Sequence, residues 1–378
     1  MTTLIPLPYA ALLCFFTALV FALAGTPLAA RAAVRFGIVD KPGGDLKRHR
    51  RPTPYLGGLA VYASFILTMG LAFDFDRRVL GLLLAGSVLV LLGLIDDFGV
   101  LGVWPKFLGQ GFATLILIKS GIAIQIGALS PWCNTLLTVI WIIGLTNAFN
   151  IIDVMDGLAT GTAILAGVFL LVVSLLNQQA SITLITATLI GSLLGFLCYN
   201  AHPASIFMGD TGSLFIGMML GSLAMIGKYD HVNPIGYLTP LLILAVPIFD
   251  TLYVMTLRVA RGRNPFRGSP DHFALRLEKL GLKVPAVVGL TWGAGVVLGG
   301  LALVNLELHR AGSILLVSGC AGALALVGWV LARAGKGRDT AQSPVPRQLS
   351  PEEIRALQQR EQIAVQVARQ NLALWRRR

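Results

Sequence analysis

Leu80–Asp97 reads LGLLLAGSVLVLLGLIDD, sixteen residues without a charge closed by two adjacent carboxylates, Asp96 and Asp97. At about 1.5 Å of helical rise per residue, the apolar run crosses most of a bilayer core and sets the Asp pair at a membrane face. Adjacent carboxylates repel, and keeping both ionised calls for a nearby cation; Lys106 and a divalent metal are the candidates. Taken alone, the pair reads equally as a polar helix terminus dipping into headgroups. Four other apolar runs, however, end in comparable polar clusters, and the pattern puts them on the same side.

The whole composition agrees with that stretch. The 378 residues are 55% hydrophobic and only 13% charged, with a mean hydropathy of +0.76. Soluble domains carry about 25% charged residues, so the chain reads as an all-α, polytopic membrane protein. Eleven spans are expected, at approximately Leu7–Ala29, Leu56–Phe73, Val79–Ile95, Phe107–Ile124, Thr135–Phe149, Leu158–Leu176, Ile182–Tyr199, Gly212–Gly227, Tyr237–Leu257, Val284–Val304 and Gly312–Leu331. The fourth and fifth are the weakest. The first lacks a basic leader and is followed by Arg31 and Arg35, as at a membrane anchor rather than a cleaved signal.

Eleven spans put the termini on opposite sides. Of the 30 basic residues, seven lie in Arg31–Arg51, seven in Arg258–Lys283 and ten in Arg333–Arg378, with Lys106 on that same side. Only Arg77, Arg78, Lys119, Lys228 and Arg310 fall on the other. The positive-inside rule then predicts an outside N-terminus and a cytoplasmic C-terminus. The net charge of +12 is accounted for by topology and by attraction to anionic lipid and phosphate, with no nucleic acid invoked. The four scattered cysteines suggest neither a disulfide framework nor a zinc site.

Chemistry-bearing residues collect at the ends predicted to be cytoplasmic. The loop Gly37–Gly58, GIVDKPGGDLKRHRRPTPYLGG, holds a cationic knot that includes His49 and suits a lipid phosphate or, equally, headgroups alone. Lys106 opens the fourth span and returns to the face of the Asp pair. In TNAFNIIDVMDGLATG, Thr146–Gly161, Asn147 and Asn150 are three apart, as are Asp153 and Asp156. On a helix all four project near one face and offer oxygens to a hard cation such as Mg²⁺. In YNAHPASIFMGDTGSLFIG, Tyr199–Gly217, Asp210 reads either as a helix cap or as part of a phosphate site, and Phe207 offers a flat face to a base. Asp250 lies inside the ninth span and requires a partner or water there. The following loop carries Arg261, Arg263, Arg267, His272 and Arg276, and guanidinium forks suit phosphate oxygens.

From Gly37 to Gly281 these motifs, in this order and sidedness, resemble the polyprenyl-phosphate N-acetylhexosamine-1-phosphate transferase family: the DKP…H…P-x-x-GG loop, Asp96-Asp97…Lys106, NAFNIIDVMDGLA, FMGDTGS, PIFDT and the basic loop. The resemblance implies transfer of a sugar 1-phosphate from a UDP-N-acetylhexosamine, N-acetylglucosamine by preference, to a polyprenyl phosphate. It implies Mg²⁺, or Mn²⁺ in its place, bound by Asp210 with Asn150. It further implies Asp96 and Asp97 positioning the lipid phosphate or taking its proton, with Lys106 on phosphates. Phe207 would stack on uracil and Asp156 would bond its edge. The expected setting is the cytoplasmic face of a bacterial inner membrane, at the start of cell-envelope glycan synthesis, and by analogy in a homodimer. Direct attack by the lipid phosphate and a covalent aspartyl intermediate both remain open.

The chain departs from the family pattern twice. Val154 stands where DG-x-DG has a glycine, and the late histidine cluster is reduced to His272 in His272-Phe273-Ala274-Leu275-Arg276, which argues against the peptidoglycan enzyme. A cation- or proton-coupled transporter is the rival, but transporters place such carboxylates near the midplane. A relative that keeps only lipid or nucleotide binding is the third reading. Residues 1–335 form the expected transferase domain, 336–349 a linker, and 350–378 an amphipathic cytoplasmic helix.

Overall fold

The computed structural model describes residues 5–40, 53–72, 76–99, 101–229, 233, 235–265 and 271–339. Contacts divide the chain into two compact units, Met1–Ala332 and Arg333–Arg378. The helices are α1 Leu7–Phe36, α2 Gly57–Ala72, α3 Arg77–Asp97, α4 Val103–Lys119, α5 Pro131–Ile152, α6 Leu158–Leu176, α7 Ala180–Asn200, α8 Gly209–Ile226, α9 Thr239–Ile243, α10 Ala245–Ala260, α11 Phe273–Lys279, α12 Val284–Glu307 and α13 Arg310–Asp339. A two-residue antiparallel ribbon, β1 Val39–Asp40 with β2 Thr53–Pro54, is the one β element among the described residues. α13 runs on through Asp339, so residues 336–339 of the expected 336–349 linker are helical; residues 340–378, with the rest of that linker and the amphipathic tail, lie outside the described residues.

Each of the eleven expected spans falls on a helix or, for the ninth, on a broken pair of helices. Eight helices are long and apolar enough to cross a membrane, or nine if the broken pair counts as one span; α2 is apolar but shorter. The break bends Gly236–Ile243 by 71° against α10. Pro247 has no N–H to give the carbonyl of Ile243, so the helical ladder cannot run through Leu244.

The hub is α8, which packs against α2, α3 and α5, with Thr211 to Ala224 buried without interruption. Lipid supplies no hydrophobic drive between apolar helices, so close packing of small residues does the joining. A Cβ on Gly58 of α2 would overlap the backbone of Gly212 in α8, and one on Gly93 of α3 would meet the backbone of Asp210 and Thr211. Gly58→Val is therefore expected to prise α2 from α8 and destabilise the fold by about 3 kcal/mol. The melting temperature of detergent-purified protein checks this; an unchanged value would sink the packing argument. At the other end of the bundle, Asn305 joins α12 to its neighbours. Its amide donates to Thr239 Oγ1 at 3.0 Å, its side-chain oxygen accepts from Ser313 at 2.6 Å, and its carbonyl accepts from Asn233 at 2.8 Å.

Candidate active site

The C-terminal end of α3 and the segment leading into α2 meet the N-terminus of α8. Met208, the residue before that helix, supplies no side-chain cap. The cap comes instead from α3: Asp97 Oδ1 accepts from Asp210 N at 2.7 Å, and Oδ2 accepts from Thr211 N at 3.2 Å and Thr211 Oγ1 at 2.6 Å. A carboxylate on exposed helical N–H groups is favoured both by hydrogen bonding and by the helix dipole. Tyr55 Oη in turn donates to the Asp97 carbonyl at 2.8 Å. Gly209 permits the approach: its φ is +72°, and a Cβ there would sit 2.7 Å from Asp97 Oδ2 and 2.8 Å from the Tyr55 carbonyl.

Capping by Asp97 leaves the Asp210 side chain for other work. Lys106, at the start of α4, bridges Asp96 Oδ2 at 2.7 Å and Asp210 Oδ2 at 2.5 Å, and donates to Asn150 Oδ1 at 3.3 Å. Asn150 Nδ2 donates to Asp210 Oδ1 at 2.8 Å and to Ser213 Oγ at 3.0 Å. The lysine is thus a shared cation among groups drawn from α3, α5 and α8. Asn147, one helical turn before Asn150, is engaged elsewhere. It exchanges amide hydrogen bonds with Gln110, at 2.7 and 3.3 Å, a buried residue four past Lys106 that sequence reasoning missed.

The expected four-residue helical face is not continuous. α5 ends at Ile152, and the chain leaves the helix at Asp153 and turns back through Gly157 at φ +75°. The amides therefore sit on a helix and the two carboxylates on a turn. Asp153 is half-buried and has no side-chain partner among the described residues. Burial, then the charges of Asp210, Asp97 and Asp156, push its carboxyl up to about 7. Asp156 Oδ2 pairs with His202 Nδ1 at 2.8 Å and accepts from Ala204 N at 3.1 Å. Phe207 is half-buried on the loop before α8 and is bonded through its backbone to Pro54 and Gly57.

The raised Asp153 predicts a pH effect. A carboxyl held above its unfolded pKa of about 3.9 favours the fold in its protonated form, so this contribution is present below pH ~4 and is lost as pH rises toward 7. Without added divalent cation, Asp153→Asn should melt above the wild type at pH 7.5, with the gap closing toward pH 4.5. A gap that does not change with pH would refute the assignment.

The same imbalance bears on a metal. Five carboxylates, Asp96, Asp97, Asp153, Asp156 and Asp210, gather near Lys106 and His202. Among the described residues no three His, Cys, Asp or Glu side chains stand at metal-binding spacing. Mg²⁺, however, commonly takes one or two carboxylates and completes its shell with water and substrate phosphate. Asp210 with Asn150 offers such hard oxygens beside an excess of negative charge, so the donor set fits.

The late basic loop makes a second cluster. His272 Nδ1 pairs with Asp250 Oδ2 at 2.8 Å, and Phe273 N donates to Asp250 Oδ1 at 3.2 Å. Asp271 Oδ1 accepts from Arg261 at 2.8 Å and Arg276 at 3.0 Å. Arg276 also reaches the Leu331 carbonyl and lies over the Tyr253 ring. Asp250, His272, Asp271 and Arg276 are all buried, so Asp250 has the partner its depth requires. Arg263 is exposed. His49 and Arg267 lie outside the described residues.

Fold and site together define a polytopic helical membrane protein whose acidic residues gather around a half-buried lysine at one end of the bundle. Residues 79–228 match the family model for glycosyl transferase family 4, a segment that contains Asp96, Asp97, Lys106, Asn147, Asn150, Asp153, Asp156, Phe207 and Asp210. The chain is 33% identical to a probable undecaprenyl-phosphate N-acetylglucosaminyl 1-phosphate transferase of Bacillus subtilis, over 71% of this chain and 77% of that one. It is 31% identical to a decaprenyl-phosphate N-acetylglucosaminephosphotransferase of Mycolicibacterium smegmatis, over 82% and 86%. A phospho-N-acetylmuramoyl-pentapeptide-transferase of Limosilactobacillus fermentum is 30% identical, over 67% and 83%. The chain belongs to the polyprenyl-phosphate N-acetylhexosamine-1-phosphate transferases of glycosyl transferase family 4.

Proposed function

We propose that this protein transfers N-acetylglucosamine 1-phosphate from its UDP-sugar to a polyprenyl phosphate, giving polyprenyl-diphospho-N-acetylglucosamine and UMP and initiating a cell-envelope glycan. The observation that carries the reading is the Lys106 ammonium held between Asp96 and Asp210 at the capped start of α8, within the segment matched to the family. The names of the Bacillus and Mycolicibacterium relatives support the sugar. The Lys/Arg asymmetry supports an outside N-terminus and a site at the cytoplasmic face of the inner membrane. There a soluble nucleotide sugar meets a membrane-held acceptor.

Phosphoryl transfer requires in-line positioning and neutralisation of diphosphate charge. Mg²⁺ held by Asp210 and Asn150 would supply part of that neutralisation, with Mn²⁺ able to replace it. Lys106 presents its ammonium to phosphate oxygens from between two carboxylates. Asp97 spends both oxygens on the α8 N-terminus, so it positions Asp210 and leaves Asp96 to face the lipid phosphate and take its proton. A lipid phosphate oxygen bonds to the β-phosphorus, and the bond from that phosphorus to the oxygen of the departing UMP breaks. Asp156 and Phe207 hold the uracil, while exposed Arg263, with His49 and Arg267, contributes phosphate attraction. By analogy with the family, the working unit is a homodimer.

The test is purified protein with undecaprenyl phosphate, Mg²⁺ and a panel of radiolabelled UDP-sugars, following label into organic solvent together with UMP release. Equal label transfer and UMP release with UDP-N-acetylglucosamine supports the reading. Release of UMP without lipid labelling, or no turnover with any donor, overturns it.

A further inference from the structure

We infer that His202 is the residue that aims Asp156 at the donor nucleotide and so sets selectivity for a uracil base; the inference rests on the uridine-nucleotide reading above. Asp156 is unusual among the site's acids in receiving both of its hydrogen bonds on one oxygen. His202 Nδ1 lies 2.8 Å and Ala204 N 3.1 Å from Oδ2, and no bond to Oδ1 is made among the described residues. Two fixed donors on one oxygen fix the plane of the carboxylate, so Oδ1 points in a single direction as an acceptor.

The pairing is not needed to fasten the loop. Asn200, buried, already stitches the segment before α8 to the turn before α6. Its Oδ1 accepts from Gly157 N at 3.2 Å and Thr160 Oγ1 at 2.7 Å, and its Nδ2 donates to the Ile206 carbonyl at 3.1 Å. His202, by contrast, stands at the rim with 41% of its side chain exposed, over an Asp156 only 22% exposed. Asp156 stands three residues after Asp153 on the turn between α5 and α6, and its negative charge, with those of Asp210 and Asp97, raises the Asp153 carboxyl. The same segment continues through Phe207 to Asp210, so His202 and Phe207 are carried on one loop beside the acidic cluster.

The selectivity follows from elementary base chemistry. Uracil offers an N3–H donor between two carbonyl acceptors, whereas cytosine has a bare acceptor nitrogen at that position. An aimed carboxylate oxygen accepts from the first and opposes the second. A carboxylate free to rotate can turn away from the mismatch and loses that contrast.

His202→Ala, His202→Asn, Asp156→Ala and the Asp156→Ala/His202→Ala double variant, each as the full-length protein, test the inference. UMP affinity by calorimetry is read alongside the kinetics of both substrates. His202→Ala should weaken UMP and raise the donor KM about tenfold, the size of one charge-assisted hydrogen bond. The kcat, the lipid KM and the melting temperature should stay near wild type, and discrimination against CMP should fall. His202→Asn, whose amide N–H lies near the place of the ring Nδ1–H, should recover most of the affinity. In the Asp156→Ala background, removing the imidazole should add less than about twofold, because positioning acts only through the carboxylate. UMP affinity unchanged in His202→Ala, an additive double variant or failure of His202→Asn to rescue overturns the role of His202. A wild-type protein that binds neither UMP nor any UDP-sugar overturns the nucleotide reading itself, and the inference with it.

Discussion

Asp210→Ala is expected to lower sugar-phosphate transfer by about 10³-fold or more, the scale seen when a group that neutralises developing charge is removed from a preorganised site. The carboxylate touches both Lys106 and Asn150, so its loss removes the proposed metal ligand and one of the two anions that fix the ammonium. The fold should persist for a specific reason. Asp97 grips residue 210 through its backbone N–H, which alanine retains. A gel-filtration profile and melting temperature close to wild type, with no label reaching the lipid, are the expected pair of results. Turnover within an order of magnitude of wild type would sink the assignment of Asp210 as metal ligand and catalytic group.

Lys106→Ala should come close behind, with a loss of about 10²-fold or more in kcat/KM, since a positioned cation on a transferring phosphoryl group is worth several kcal/mol. Two effects add. The phosphates lose a cation, and Asp96 and Asp210 face each other without the ammonium that lies 2.7 and 2.5 Å from them. Lys106→Arg should rescue little. A compact ammonium satisfies three acceptors from α3, α5 and α8 at once, whereas a planar guanidinium needs a wider, flatter site. Recovery by arginine to near wild-type turnover would mean that only net charge matters at this position, contrary to the geometry.

The second cluster shows where residue type alone misleads. His272 and Arg276 stand in the loop as free phosphate ligands would, yet both are buried against carboxylates, Asp250 and Asp271. Either residue reaching outward for a substrate would leave a buried carboxylate without that partner. The depth of Asp250 in its span calls for a partner but does not name one, because that partner, His272, comes from a separate segment across a turn. Gln110 is silent in the sequence for a related reason. It lies four residues after Lys106, on the same helical face, but an amide within a mostly apolar helix carries little signal until Asn147 is seen opposite it.

The sequence by itself determined the class of protein, the positions of its helices and the end at which its acids collect. Each follows from properties local in the chain: apolar run length against bilayer thickness, basic residues between runs, and carboxylates at the ends of runs. Only the tertiary structure decided the division of labour among those acids. Asp96 and Asp97 are neighbours in one helix, yet one lies on Lys106 and the other caps α8. Asp153 and Asp156 share a motif, yet Asp153 has no side-chain partner among the described residues while Asp156 is held by a histidine 46 residues away. Pairings between groups so far apart in sequence exist only once glycines such as Gly58, Gly93 and Gly209 let the helix backbones approach closely enough to bring them together.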